Sequence, residues 1–224
     1  MSRREVHWAF LGRVGYGEAQ ALQEGVREAV KRGVGPERLL LLEHPHVYTV
    51  GRNGSGAEVL AGREVLAARG VEVAECDRGG RVTYHGPGQL VGYPVINLSP
   101  DRRDVRRYVR DLQETIVETL AEYGIAGEAR EGQDFVGVWV GGAKVASIGV
   151  HLSRWVTTHG FALNVATDLS FFAGIVPCGL AGVEITSIER LTGRRPALAE
   201  VAARYARIFA ARLGREAVAA APMR

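Results

Sequence analysis

Residues able to carry covalent chemistry are scarce in these 224 positions, which hold two cysteines, Cys76 and Cys178, and two lysines, Lys31 and Lys144, among 28 basic residues. Cys178 sits in Val176-Pro177-Cys178-Gly179-Leu180, where proline and glycine fix a loop conformation of the kind that presents nucleophiles. The local sequence by itself slightly favours a small buried apolar residue, the commonest fate of an isolated cysteine. Cys76 ends a predicted strand and reads as buried and structural. Lys144 follows Gly141-Gly142, and period-2 counting puts it on one strand face with Ala146, Ile148 and Val150. An ammonium there is costly unless it snorkels to water. Beside a thiol it would favour the thiolate and could relay a proton, although the two residues lie 34 positions apart.

A second candidate is the run from Arg78 to Gln89, with four glycines, two arginines and a histidine in twelve positions. Glycines let a ligand approach backbone N–H groups closely. The run fits neither the Walker pattern nor the dinucleotide fingerprint. Tyr84 and His85, bulky groups amid glycines, suit the lining of a pocket better than a plain turn. His44, His46, His151 and His159 repeat no metal-ligand spacing, so no metal is expected. The arginines 102, 103, 106, 107 and 110 form either a solvated helix face or a docking patch for an acidic partner.

The elements that must position these groups can be read from periodicity. Strands are expected at 5–11, 38–42, 47–50, 71–75 and 89–98, with Pro45 forcing a bend between the second and third. Helices are expected at 18–31, 63–68 and 104–123, the last carrying a stripe from Val105 to Tyr123 with Gly124 as its stop. The runs 135–140 and 143–150 are joined by Gly141-Gly142, whose tolerance of positive φ predicts an antiparallel hairpin, and 156–165 is a neighbouring strand. Leu198, Val201, Ala202, Tyr205, Ile208, Phe209 and Leu213 mark a closing helix behind Pro196. Hairpins alternating irregularly with helices predict a mixed α/β (α+β) domain over residues 1–224, with a largely antiparallel sheet and flanking helices. The one weak boundary is 192–196.

Composition bounds the function. With 46% hydrophobic and 24% charged residues the chain is an ordinary globular protein able to build its own core. The longest apolar runs are far short of a bilayer span, and the N-terminus lacks the apolar core of a signal peptide, so a cytoplasmic location is expected. A net charge of +3 is too small for a dedicated nucleic-acid binder and suits an acidic protein partner.

The stretch RGGRVTYHGPGQLVGYPVINL, the later GGAKVASIGVHLSRWVTTHGFALNV, the loop PCGL and the N-terminal LLLLEHPHVYTVGR together resemble the octanoyltransferases of lipoate biosynthesis, in order from Leu39 to Ser187. One departure is His46 beside Pro45, where the family commonly has a second proline. The resemblance implies the fold of the biotin/lipoate protein ligase catalytic domain. It also implies transfer of an octanoyl group from octanoyl-acyl carrier protein to a lysine of lipoyl domains, those of 2-oxoacid dehydrogenase complexes and the glycine cleavage H protein. In that family pattern Cys178 forms the acyl-thioester and Lys144 depresses the thiol pKa. Substrate would be bound by Arg78, Gly79, Gly80, Arg81, Val82, Thr83, Tyr84 and His85, by Ser147, Ile148 and Gly149, and by Gly160, Phe161 and Ala162. Exchange of one thioester for another followed by amide formation is a ping-pong scheme that calls for no ATP, metal or other cofactor, and the enzyme would be a monomer with neither nucleic acid nor membrane as partner. The alternatives are an ATP-dependent lipoate or biotin protein ligase on the same fold, a non-catalytic acyl or carrier-protein binder, and a thioesterase.

Overall fold

A computed structural model describes residues 4–130, 132, 135–176 and 182–222. Its backbone is organised by the apolar run at Leu39–Leu42, which forms β2 (Glu37–Glu43) at the inside of a large sheet. Because side chains alternate along a strand, Leu39 and Leu41 pack in one core while Leu40 and Leu42 pack in another on the opposite face. Two covered faces explain why this strand reads as continuous hydrophobics.

Around β2 the chain adds β1 (Glu5–Arg13), β6 (Gln89–Val95), β7 (Glu128–Arg130), β8 (Gly137–Val140), β9 (Ala143–Ser153), β10 (Val156–Asn164) and β11 (Glu216–Ala219). The order is β11-β1-β2-β6-β10-β9-β8-β7, with β1 parallel to β11 and β2 and every other pairing antiparallel. This is the mixed, largely antiparallel sheet that the irregular alternation predicts. One face is covered by α3 (Val105–Ala121) and α5 (Leu198–Arg212), through Tyr108, Leu112, Ile116, Tyr205 and Phe209. The other carries α1 (Tyr16–Lys31), whose Ala19 meets Leu40, Val91 and Ala162. The Asp104 carboxylate caps α3 by accepting from the Arg107 amide at 3.0 Å.

At Pro45 the chain leaves this sheet. A smaller sheet, ordered β4-β3-β5, is built from β3 (Val47–Val50), β4 (Glu72–Glu75) and β5 (Val82–His85). The helix α2 (Arg63–Ala68) precedes β4. Its own core joins Tyr48, Val82 and Tyr84 to Phe171, Phe172 and Ile175. Four of the twelve residues of the glycine-rich run therefore form strand β5, antiparallel to β3. Four residues flanked by glycines leave no periodicity to detect. The short edge strands β7 and β11 and the helix α4 (Ile188–Thr192) also escape the sequence pattern; Glu37 holds β11's approach through Arg215, its Oε2 2.5 Å from Nε.

The arginines at the start of α3 divide. Arg102 is an internal strut, paired with Asp111 and donating to the Arg212 carbonyl at 2.9 Å, whereas Arg106, Arg107 and Arg110 are exposed. No helix among the described residues is long and apolar enough to cross a membrane.

Candidate active site

The two sheets meet over a cleft of about 480 Å³, counted with its open mouth. Its floor is the β9/β10 pair, in which Ser147, Ile148 and Gly149 lie opposite Ala162, Phe161 and Gly160. Its roof is the run from Arg78 to His85, and Tyr16 of α1 and Tyr93 of β6 complete it. Close approach is enforced by missing side chains. A Cβ on Gly149 would stand 2.7 Å from the Gly79 carbonyl oxygen, and one on Gly160 would stand 2.3 Å from that of Gly92.

Buried polar groups around the cleft are wired in fixed directions. The His44 Nδ1–H donates to the Val14 carbonyl at 2.7 Å, which leaves Nε2 to accept from the Tyr93 hydroxyl at 2.7 Å. Burial holds His44 down near pKa 4, so it stays neutral, and burial likewise pushes the Tyr93 and Tyr16 phenols upward. The His85 Nδ1–H donates to Gln89 Oε1 at 2.8 Å, Gln89 Nε2 donates to Asn164 Oδ1 at 3.0 Å, and Asn164 Nδ2 donates to the Thr186 carbonyl at 3.0 Å. Arg78 Nη2 reaches both the carbonyl and the hydroxyl of Thr49, at 2.7 and 2.8 Å. Burial depresses His85 strongly, and the positive charge of Arg78 adds to it.

Lys144 is 2% exposed. It does not share a regular face with Ala146, Ile148 and Val150, because the β8/β9 register slips between Val138 and Trp139: Val138 pairs with Ala146 but Trp139 pairs with Lys144. The extra residue interrupts the alternation, so Val145 and Ala146 both enter the main core while the lysine is set apart. Its Nζ lies 5.4 Å from the centre of the Trp139 ring. Room for the stem comes from Gly137 (φ +153°), where a Cβ would stand 2.6 Å from Lys144 Cε. The Lys144 amide donates to the Glu184 carbonyl at 2.8 Å and its carbonyl accepts from Thr186 at 3.0 Å. Gly141 and Gly142 turn with φ of +54° and +90°, as the hairpin requires. Cys178 lies outside the described residues.

Residues 15–210 match the lipoyl protein ligase A/B catalytic domain family. An octanoyltransferase of Solibacter usitatus is 54% identical over 200 residues, covering 89% of each chain, and one of Geobacter metallireducens is 48% identical over 191 residues, covering 85% of each. The chain belongs to the octanoyltransferase family. It is an enzyme of octanoyl transfer in protein lipoylation.

Solved structures carry the same fold at low identity. A Thermoplasma acidophilum protein described as a lipoate protein ligase with bound lipoic acid superposes with a TM-score of 0.76 at 19% identity, over 98% of this chain and 89% of its own. The biotin protein ligase of Aquifex aeolicus, with biotin and ATP, gives 0.59 at 16% over 92% and 70%.

Within this octanoyltransferase the binding residues expected from sequence converge on the cleft, except two. Gly79 is in the roof strap but does not line it, its amide donating to the Val150 carbonyl at 3.0 Å. Tyr84 points the other way, stacked on Phe171 at 5.0 Å with its hydroxyl 2.8 Å from His46 Nδ1. Side chains alternate along β5, and Tyr84 packs in the second core while His85 turns to the cleft. His46, the departure from the family's proline, has a structural job there, stacked on Phe171 at 4.2 Å. Tyr16, Tyr93 and His159 also line the cleft; sequence reasoning passed over the two tyrosines, which sit in ordinary helix and strand patterns, and weighed His159 only as a metal ligand. Cys76 is half-buried rather than buried, its Sγ 3.4 Å from the Val50 carbonyl.

Proposed function

We propose that this enzyme moves an octanoyl group from acyl carrier protein to a lysine of lipoyl domains through a thioester on Cys178. The Cys178 thiolate attacks the carbonyl carbon of the donor thioester, a C–S bond to the enzyme forms, and the bond to the pantetheine sulfur breaks. The pantetheine thiolate takes a proton from the Lys144 ammonium; the acceptor amine then attacks the same carbon, C–N replaces C–S, Cys178 leaves as the thiolate, and the amine proton returns to Lys144. Amide formation makes the second step downhill without ATP. The observation that carries this reading is the burial of Lys144 on β9, three residues before the cleft-lining Ser147, in backbone contact with Glu184 and Thr186, which follow Cys178 closely in sequence.

The cleft supports an acyl site. Ile148, Ala162 and Val82 supply apolar surface, and Arg78, Thr83 and His85 supply polar groups at the roof. Backbone N–H groups of the glycine-rich run are candidates for the oxyanion. Lipoyl domains as a class are the acceptors and an acyl carrier the donor; the finer assignment is to 2-oxoacid dehydrogenase complexes and the glycine cleavage H protein. The reading places a monomer in the cytoplasm, where a catalytic thiol stays reduced.

The test is intact-protein mass spectrometry after mixing with octanoyl-acyl carrier protein, beside a Cys178→Ser variant. A hydroxylamine-labile octanoyl adduct that needs Cys178 and moves to a lipoyl domain is expected. Transfer that requires ATP, or that survives the substitution unchanged, would point to a ligase instead, and free octanoate released in the presence of acceptor would point to a thioesterase.

A further inference from the structure

One residue, His159, lines both the cleft and a second cavity beside it of about 610 Å³, again counted with its open mouth. The second cavity lies between α1 and β10 and is polar, walled by Gln20, Gln23, Glu24, Arg27, Asp77 and Thr158. Thr158 is buried with its hydroxyl lacking a hydrogen-bond partner among the described residues, and Arg27 is ion-paired there, its Nε 3.7 Å from Glu28 Oε1. The partition between the two spaces is tightly built. His159 Nε2 is 2.6 Å from Asp77 Oδ1, and His151 Nε2 lies 3.5 Å from the other carboxylate oxygen. The His159 amide donates to Gln23 Oε1 at 2.7 Å. Its φ is +55°, a left-handed conformation that costs a non-glycine residue energy and persists only where the surroundings impose it.

The position of this partition along the floor gives it a role. From Ser147 to Val150 the strand rises about 10 Å, moving steadily away from Lys144, and Val150 pairs with His159. Over the same end the Arg78–Gly80 strap closes down, through Gly79 on the Val150 carbonyl and the tight approach to Gly149. A chain whose carbonyl sits near Lys144 and whose tail runs along Ile148 and Gly149 therefore meets His159 last. We infer that His159, held by Asp77, is the end-stop of the acyl cleft and sets the length of acyl chain that the enzyme accepts. A longer chain would have to displace a hydrogen-bonded imidazole and push methylenes among the polar and charged groups of the second cavity, both unfavourable. This inference rests on the cleft being the acyl site.

The experiment compares octanoyl-, dodecanoyl- and hexadecanoyl-acyl carrier protein as donors for the wild-type enzyme and for His159→Gly, which keeps the positive φ without strain and opens the partition. The readout is the ratio of kcat/KM for dodecanoyl to that for octanoyl donor, together with the mass of the acyl-enzyme. The variant should raise that ratio by about tenfold or more, in line with the discrimination that pocket methylenes confer. An unchanged ratio in an active variant would overturn the end-stop. Should His159→Gly fail to fold, His159→Asn, which also tolerates positive φ, is judged by the same ratio. A wild-type enzyme that forms no acyl adduct from any donor would instead overturn the acyltransfer reading, so the two failures are distinct.

Discussion

The Thr186 amide donates to the Lys144 carbonyl at 3.0 Å, while the Thr186 carbonyl accepts from Asn164. One residue thus joins the hydrogen-bond chain that starts at His85 in the cleft to the backbone of the buried lysine. The cleft roof and the lysine are held by the same connected frame, and the expected consequences follow from it.

Replacing Lys144 by Met keeps most of the volume and removes the charge. Acyl-enzyme formation should slow by about 10²- to 10⁴-fold, the usual contribution of a positioned proton-transfer group. Lys144→Arg should not restore it, because the guanidinium needs space that Gly137 and Trp139 do not leave. Quenched-flow mass spectrometry of the adduct measures both.

Gly137→Ala should be damaging although it lies outside every recognisable motif. Its Cβ would meet the Ala146 carbonyl oxygen at 2.3 Å and Lys144 Cε at 2.6 Å, at a φ that alanine rarely adopts. A loss of about 2 kcal/mol or more in urea unfolding is expected, with activity reduced further as the lysine shifts.

Tyr84→Phe separates packing from chemistry. The ring stays stacked on Phe171 and only the contact with His46 Nδ1 is lost, so stability should fall by about 1 kcal/mol with KM for the acyl donor nearly unchanged. A large rise in KM would place the hydroxyl at the substrate after all.

Acid should destabilise the fold through its buried histidines. His44 is held down near 4 from 6.5, and His85 and His159 are also depressed, by burial first in each case. The unfolded chain binds these protons and the native state resists them, so stability is full above about pH 6.5 and falls toward pH 4, by roughly 3 kcal/mol for His44 alone. Urea midpoints across that range should fall, and the slope should lessen in His44→Gln.

Arg102→Ala should cost about 3 to 5 kcal/mol by stranding Asp111 in a buried site, whereas Arg106→Glu with Arg107→Glu should leave stability nearly unaltered. If the exposed arginines dock the carrier protein, the double variant raises its KM at low salt only.

Local sequence by itself determined much of this protein. The continuous burial of Leu39–Leu42, the stripe of α3, the Gly141-Gly142 hairpin and the glycine-rich run all follow from short-range rules of period and turn geometry, and the ordered motifs carried the family. Tertiary structure alone decided the rest. The register slip that sets Lys144 apart depends on how β8 meets β9, and the choice of His85 over Tyr84 for the cleft depends on which face of β5 the second sheet turns inward. The partition at His159 needs Asp77, 82 positions away, to approach it. Such contacts are made between strands distant in the chain, and no local pattern encodes a partner that only folding brings near.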